Sequence, residues 1–230
     1  MFEEYAKLLH EVQSTYNAPS FERRYVVGGV NLEAARSLKQ EIEEGFVPSF
    51  FSIKSYSPRY FAVEFERRVE DQLIRSLTYY QPSQPSARLD AVIAAICVFA
   101  EKELKHPVKV VNTRIWTINK TALREGPNAW HTDGMAPGVY KVMCYLTAPS
   151  RQTGTTEIKN PDGSLAHVKG EDGTVLLFDN SGIEHRGVPP TDESLRFTVE
   201  VTLIPCLGVE DHTPVFAGTN AQYPISPGGL

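Results

Sequence analysis

Residues 174–204 of this chain read TVLLFDNSGIEHRGVPPTDESLRFTVEVTLI and decide its fold. An apolar run at 174–178 and an alternating run at 195–204 enclose a segment rich in glycine, proline and aspartate. Both runs have the length and the β-branched and aromatic content of strands, and the segment between them carries turn residues. We therefore predict two strands joined by a loop that is too short and too turn-rich for a helix.

Similar runs precede this stretch. They are VKVVNTRIWTI at 108–118, VYKVMCYLT at 139–147 and TEI at 156–158, after a break at Gly154. No pattern of helical length separates them, so the second half favours an antiparallel barrel or jelly roll over a parallel sheet with crossover helices.

The first half has a different, helical pattern. Apolar residues at helical spacing predict helices over 2–13, 32–44, 62–77 and 87–105, and Asn31 is placed to cap the second. We interpret residues 1–230 as a single domain. It consists of a mainly helical buttress at 1–107, a β core at 108–204 and an extended, proline- and glycine-rich C-terminal tail at 205–230.

The composition excludes several classes of protein. Of 230 residues, 41% are hydrophobic and 22% charged, which is typical of a globular domain and excludes a disordered or collagen-like chain. The net charge of −5 makes nucleic acid an unexpected partner. The longest apolar run, at 91–100, is about half of a membrane span, and the acidic start does not resemble a secretion signal. We expect no membrane segment and a cytoplasmic location.

The three cysteines, Cys97, Cys144 and Cys206, are widely spaced and form no C-x-x-C pair. This spacing argues against a disulfide framework or a thiolate zinc site, and it predicts reduced thiols that pack as small hydrophobic groups.

One constellation of residues indicates chemistry. His131 and Asp133 are two residues apart, so on an extended chain their side chains share a face. His185 follows the strand-like run at 174–178 and would complete two histidines and one carboxylate, which occupy one face of an octahedral metal and leave three positions open. Arg196 lies eleven residues later in a β-rich run, where a guanidinium can pair with a carboxylate ligand.

With these motifs the segment 110–204 resembles the Fe(II)- and 2-oxoglutarate-dependent dioxygenases, especially the phytanoyl-CoA and prolyl hydroxylase-like branch. The resemblance implies a double-stranded β-helix, buttressed by the N-terminal helices on the outside of its larger sheet. It makes His131, Asp133 and His185 the iron ligands. It also makes Arg196 and Thr198 the partners of the distal carboxylate of 2-oxoglutarate. The implied cosubstrates are 2-oxoglutarate and dioxygen, and the implied reaction oxidises a C–H bond of a small molecule, with succinate and CO2 as co-products.

Further residues are candidates for the pocket. In the run 108–118, Asn112 and Arg114 share a face and could point into the barrel, Asn112 toward the cosubstrate and Arg114 toward the substrate, or could belong to a hydrogen-bonded core network. Four others are candidates for the substrate-binding rim, with ordinary core packing as the alternative: Trp130, Tyr140, Lys141 and Glu157.

Some alternatives stay open at this point. His167 is the rival third metal ligand, Arg196 could form a structural ion pair with Asp192 or Glu193, and Asp179 is either an acid or a turn residue. Two other functions also fit. One is a non-redox metal-binding barrel of cupin type, such as a zinc hydrolase or a binding protein, and the other is a catalytically silent scaffold.

Overall fold

The computed structural model describes residues 25–45, 60–69, 72–82, 86–120, 126–135, 138–205 and 216–217. Two helices are present there: α1 (Leu32–Gly45) and α2 (Ala87–Leu104). The strands are β1 (Tyr25–Gly29), β2 (Tyr60–Val69), β3 (Gln72–Pro82), β4 (Val108–Ile118), β5 (Tyr140–Tyr145), β6 (Thr155–Lys159), β7 (Leu165–His167), β8 (Thr174–Asp179), β9 (His185–Val188), β10 (Arg196–Pro205) and β11 (Phe216–Ala217). A 3₁₀ turn covers Gly126–Asn128.

The strands form two sheets. The large sheet has the order β1-β8-β5-β10-β4-β3-β2, with β11 added in parallel to β4, and the small sheet has the order β7-β6-β9. All other neighbouring strands are antiparallel. The prediction of an antiparallel jelly roll is confirmed.

Both helices within the described ranges begin where the sequence predicts. The Asn31 side chain accepts hydrogen bonds from the backbone N–H groups of Glu33 and Ala34, at 2.8 and 3.2 Å. The Ser86 hydroxyl accepts one from Leu89 N at the start of α2. The helix predicted at 2–13 lies outside the described residues.

The helix predicted over 62–77 is wrong. The chain forms the hairpin of β2 and β3 instead, and β3 pairs with β4 from Leu77 opposite Ile118 to Tyr80 opposite Ile115. Val63-Glu64-Phe65-Glu66 alternates with the period of a strand, and the hairpin covers an edge of β4 that would otherwise be open. The first half therefore extends the large sheet as well as supplying helices.

Two hydrophobic clusters lie on opposite faces of the large sheet. The outer cluster packs α1 and α2 against it, through Leu38, Ile42, Ile93, Ile96, Val142, Leu177 and Val199. The inner cluster lies between the sheets and contains Trp116, Met143, Tyr145, Ile158, Leu176 and Phe178. Helices thus buttress the outside of the larger sheet, as the resemblance implies, and the space between the sheets is left for the site.

Cys97 and Cys144 are free and buried, and burial raises the pKa of each thiol to about 12. Both are therefore packed as neutral thiols, as predicted. Cys206 lies outside the described residues. No helix in the described ranges is long and apolar enough to cross a membrane.

Candidate metal and cosubstrate site

Tertiary structure brings His131, Asp133 and His185 together. Each offers one ligand atom, and these atoms all lie within 4.8 Å of one another. His131 Nε2 is 3.6 Å from Asp133 Oδ1, and His185 Nε2 is 3.7 Å from Asp133 Oδ2. His131 and His185 also pair as an isolated antiparallel bridge, with both backbone hydrogen bonds formed at 2.9 to 3.0 Å. This bridge fixes the separation of the two imidazoles.

The orientation of both rings suits a metal site. His131 Nδ1 is 2.8 Å from the Ala129 carbonyl, and His185 Nδ1 is 3.0 Å from the Ile183 carbonyl. A carbonyl can only accept, so each Nδ1 carries the hydrogen and each Nε2 keeps its lone pair for the centre of the triad. Burial, together with the charge of Lys141, lowers the pKa of His185 to about 4, so this ring is neutral at pH 7. Two imidazole nitrogens and one carboxylate fit a divalent metal ion.

Arg196 is the largest fully buried side chain in the described chain, at 1% exposure. Its Nη1 donates to the Thr155 carbonyl of β6 at 2.5 Å and to the Val188 carbonyl of β9 at 3.0 Å, so the guanidinium joins the two sheets. Its carbon lies 5.1 Å from the centre of the Trp116 ring. Burial lowers its pKa to about 10, which still leaves it charged at pH 7.

No acidic side chain of the described residues pairs with Arg196, so the predicted alternative of an ion pair with Asp192 or Glu193 is wrong. Arg196 Nε and the Thr198 hydroxyl are buried without a hydrogen-bond partner. Beside them a Cβ on Gly187 would lie 3.0 Å from Asn128 Oδ1 and 3.5 Å from Arg196 Nη2. A buried cation with no acidic partner among the described residues and an orphaned buried hydroxyl on the same strand fit a carboxylate ligand.

A cluster of charges lies next to the triad. Lys141 on β5 donates to Asp133 Oδ2, and its Nζ is 3.7 Å from Glu200 Oε1. Arg114 on β4 donates to the same Glu200 oxygen. Burial would raise the pKa of Glu200, but the adjacent Arg114 and Lys141 lower it to about 2, so the carboxylate is ionised. The sequence motifs do not indicate Glu200 as a site residue, although its position two residues after Thr198 on β10 places it on the same face.

The other predicted pocket residues are distributed differently. The register places Asn112 opposite Thr202, which in turn lies opposite Lys141. Arg196 lies opposite Ile118, so Asn112 is six residues along β4 from the level of the guanidinium, or about 20 Å. Tyr140 lies in the outer cluster, on the face of the sheet opposite the triad, and is not brought to the site. Its neighbour Lys141 takes the inner face because successive side chains alternate.

Trp130 and Glu157 meet Arg186 rather than the triad. Arg186 donates to Glu157 Oε2 at 2.6 Å, and its guanidinium carbon lies 4.6 Å from the centre of the Trp130 ring. His167, the rival ligand, has its Nδ1 3.0 Å from Glu157 Oε1 and is not among the clustered ligand atoms. The side chains of the neighbouring β6 residues Thr156 and Ile158 point between the sheets, so this group lies on the other face of β6.

Asp179 is a turn residue. Its Oδ1 accepts hydrogen bonds from the backbone N–H and the hydroxyl of Ser181, at 2.9 and 2.6 Å. This is the local pairing that favours aspartate in turns, and of the two interpretations it supports the structural one.

No protein-family model and no curated protein sequence matches the chain. Among solved structures, AviO1 from Streptomyces viridochromogenes Tue57 is similar with a TM-score of 0.55 and 19% identity, over 84% of this chain and 96% of AviO1. SnoK, a non-heme α-ketoglutarate-dependent carbocyclase from nogalamycin biosynthesis, has a TM-score of 0.55 and 13% identity, over 86% and 83%.

The chain has the fold of the non-heme α-ketoglutarate-dependent enzymes. HygX from Streptomyces hygroscopicus, whose structure holds nickel and 2-oxoglutarate, is also similar, with a TM-score of 0.50 and 14% identity over 80% of this chain and 84% of HygX. The double-stranded β-helix that the sequence resemblance implies is confirmed.

Proposed function

We propose that this chain is an Fe(II)- and 2-oxoglutarate-dependent oxygenase that hydroxylates, or otherwise oxidises, a C–H bond of a small molecule, with succinate and CO2 as co-products. The observation that carries the proposal is the coincidence of two half-sites between the sheets. One is a metal-binding donor set, and the other is a buried cation with no acidic partner among the described residues. The non-redox metal barrel explains the first half-site, but it does not explain why the guanidinium of the second is buried without an acidic partner among the described residues.

His131, Asp133 and His185 would hold Fe(II). The backbone carbonyls of Ala129 and Ile183 keep each Nδ1 protonated, so neither ring has to change its tautomer when the metal binds. The ring centroids of Phe178 and His185 are 4.8 Å apart, and Phe178 limits the access of water on that side of the histidine. The triad leaves open positions on the metal for a cosubstrate and dioxygen.

Arg196 and Thr198 would bind the distal carboxylate of 2-oxoglutarate. The guanidinium is held in place by Thr155 and Val188, so it needs little reorganisation before it donates to a carboxylate. The absence of a side chain at Gly187 lets the chain pass close to this guanidinium, since a Cβ there would lie 3.5 Å from Arg196 Nη2. Bound together, the metal, 2-oxoglutarate and dioxygen would supply the oxidising chemistry, while the chain orients the cosubstrate and excludes water. HygX, which holds nickel and 2-oxoglutarate on the same fold, supports this assignment.

Two measurements test the proposal. Anaerobic titration of the purified protein with Fe(II), and then with 2-oxoglutarate, should show one site for each, and the cosubstrate should bind more tightly when the metal is present. In air, a panel of small molecules should include compounds that stimulate succinate release. Metal binding without 2-oxoglutarate binding would contradict the proposal. Hydrolysis by the zinc-loaded protein without oxygen would favour the non-redox barrel.

A further inference from the structure

The buried charges between the sheets indicate which charged group the substrate carries. This inference rests on the proposed function. Arg114, Lys141 and Glu200 form one cluster in which a single carboxylate oxygen contacts two cations. Their side chains are 19%, 8% and 7% exposed, so water screens these charges poorly. Arg114 Nε is buried and has no hydrogen-bond partner, which leaves a donor free.

The charge balance of this cluster depends on the metal. Asp133 is the second acid that Lys141 contacts, and Asp133 is also the carboxylate of the triad. A divalent metal, Asp133, dianionic 2-oxoglutarate and Arg196 together are neutral. Arg114, Lys141 and Glu200 are then left with one net positive charge in a poorly hydrated space. Such a charge requires an anionic partner.

The position of the cluster suits a substrate rather than the cosubstrate. Along β10, Arg196, Thr198 and Glu200 follow one another on the inner face, with about 7 Å between successive levels. Glu200 is thus one level beyond the cosubstrate residues, and Lys141 touches a triad carboxylate. A group held by Lys141 and Arg114 lies beside the metal position, and the level of Glu200 is four residues, or about 13 Å, along β10 from the level of Arg196.

We propose that Arg114 and Lys141 bind a carboxylate of the substrate, and that Glu200 holds the two cations in place. The substrate is therefore a small carboxylic acid, and the carbon that is oxidised lies a short distance from that carboxylate. Glu200 is a positioning residue, because it acts through Arg114 and Lys141. This assignment explains why a buried acid is shared between two cations instead of being paired with one.

The test uses the full chain loaded with Ni(II) and 2-oxoglutarate, which does not turn over. The probes are acetate, benzoate and phenylacetate, each compared with its primary amide, and binding is followed by the fluorescence of the two tryptophans and by calorimetry. We expect at least one acid to bind about tenfold or more tightly than its amide, because a charge-assisted contact is lost in the amide. Equal binding of every pair, or no binding of any acid, would overturn the proposal.

Variants separate substrate binding from a structural ion network. Arg114→Gln and Lys141→Gln should each weaken acid binding about tenfold or more, while amide binding stays unchanged and Ni(II) binding is not weakened. Arg114→Lys should recover part of the loss because it restores the charge. Lys159→Gln removes an exposed lysine that pairs with Glu184, and it is the matched control.

Glu200→Gln should change acid binding in the direction opposite to Arg114→Gln and Lys141→Gln. Glutamine keeps an acceptor oxygen that can hold Arg114 and Lys141 in place, and it removes only the negative charge that competes with the substrate. If the cations bind the substrate, acid binding should therefore tighten. If Glu200→Gln weakens acid binding as much as the other two variants do, the cluster is structural and the proposal is wrong. If the wild-type protein binds no Ni(II) or no 2-oxoglutarate, the proposed function itself is wrong. Failure of this inference and failure of the proposed function are therefore distinguishable.

Discussion

Substitution of Arg196 by lysine tests the cosubstrate site most directly. Lysine keeps the positive charge but has only three donors on one nitrogen, so it cannot donate to the Thr155 and Val188 carbonyls and also make a two-pronged contact with a carboxylate. We expect the dissociation constant of 2-oxoglutarate to rise at least about tenfold, which is about 1.4 kcal/mol. Loss of one charged hydrogen bond between the sheets costs about 1.5 to 3 kcal/mol. For a chain of this length that lowers the melting temperature by roughly 3–12 °C.

The assay is equilibrium binding of 2-oxoglutarate to the Ni(II)-loaded protein without oxygen, with the melting temperature measured on the same samples. Arg36→Lys is the control, because Arg36 is an exposed arginine that donates to Asp172 at 3.0 Å. This variant should bind 2-oxoglutarate within twofold of the wild type, and its melting temperature should stay close to that of the wild type. If Arg196→Lys melts earlier but binds 2-oxoglutarate within twofold of the wild type, Arg196 is only a clamp between the sheets. Arg114 is then the next candidate for the cosubstrate carboxylate.

Three further outcomes are expected. His131→Ala and Asp133→Ala should each weaken metal binding by at least about one to two orders of magnitude with circular dichroism unchanged, and stoichiometric metal in both variants would count against the triad. The pKa of His185 in the folded apoprotein is about 4 against 6.5 in an unfolded chain, so the unfolded state takes up the proton first as the pH falls. The free energy of unfolding should therefore decrease by about 1.4 kcal/mol per pH unit between 6.5 and 4, and His185→Gln should flatten that profile in denaturant titrations of the metal-free protein. Gly187→Ala adds a Cβ 3.0 Å from Asn128 Oδ1 and 3.5 Å from Arg196 Nη2, so relief of this crowding should displace the guanidinium and weaken 2-oxoglutarate binding but not metal binding. Calorimetry that shows the reverse order would refute the placement of the cosubstrate.

Local sequence determined the elements whose pattern is unambiguous. The turn-bounded, β-rich runs predicted β4, β5, β8 and β10, and helical periodicity predicted α1 and α2, with Asn31 as the N-cap of α1. The triad was also predictable, because the His-x-Asp spacing fixes a shared face on extended backbone and the strand before His185 indicates where the third ligand enters. These features depend on residues that are near each other along the chain.

Only tertiary structure decided the hairpin at 60–82 and the neighbours of each buried charge. The sequence of this hairpin fits both a helical and a strand period. The strand forms because the edge of β4 would otherwise be open. Alternation shows that Tyr140 and Lys141 face opposite sides of β5, but the register with β10 is needed to place Lys141 beside Glu200. The pairing of Arg114 with Glu200 joins residues far apart in sequence. The lack of an acidic partner for Arg196 within the described part of the chain likewise depends on which distant strands surround it. Such contacts depend on the packing of the two sheets, which no local pattern encodes.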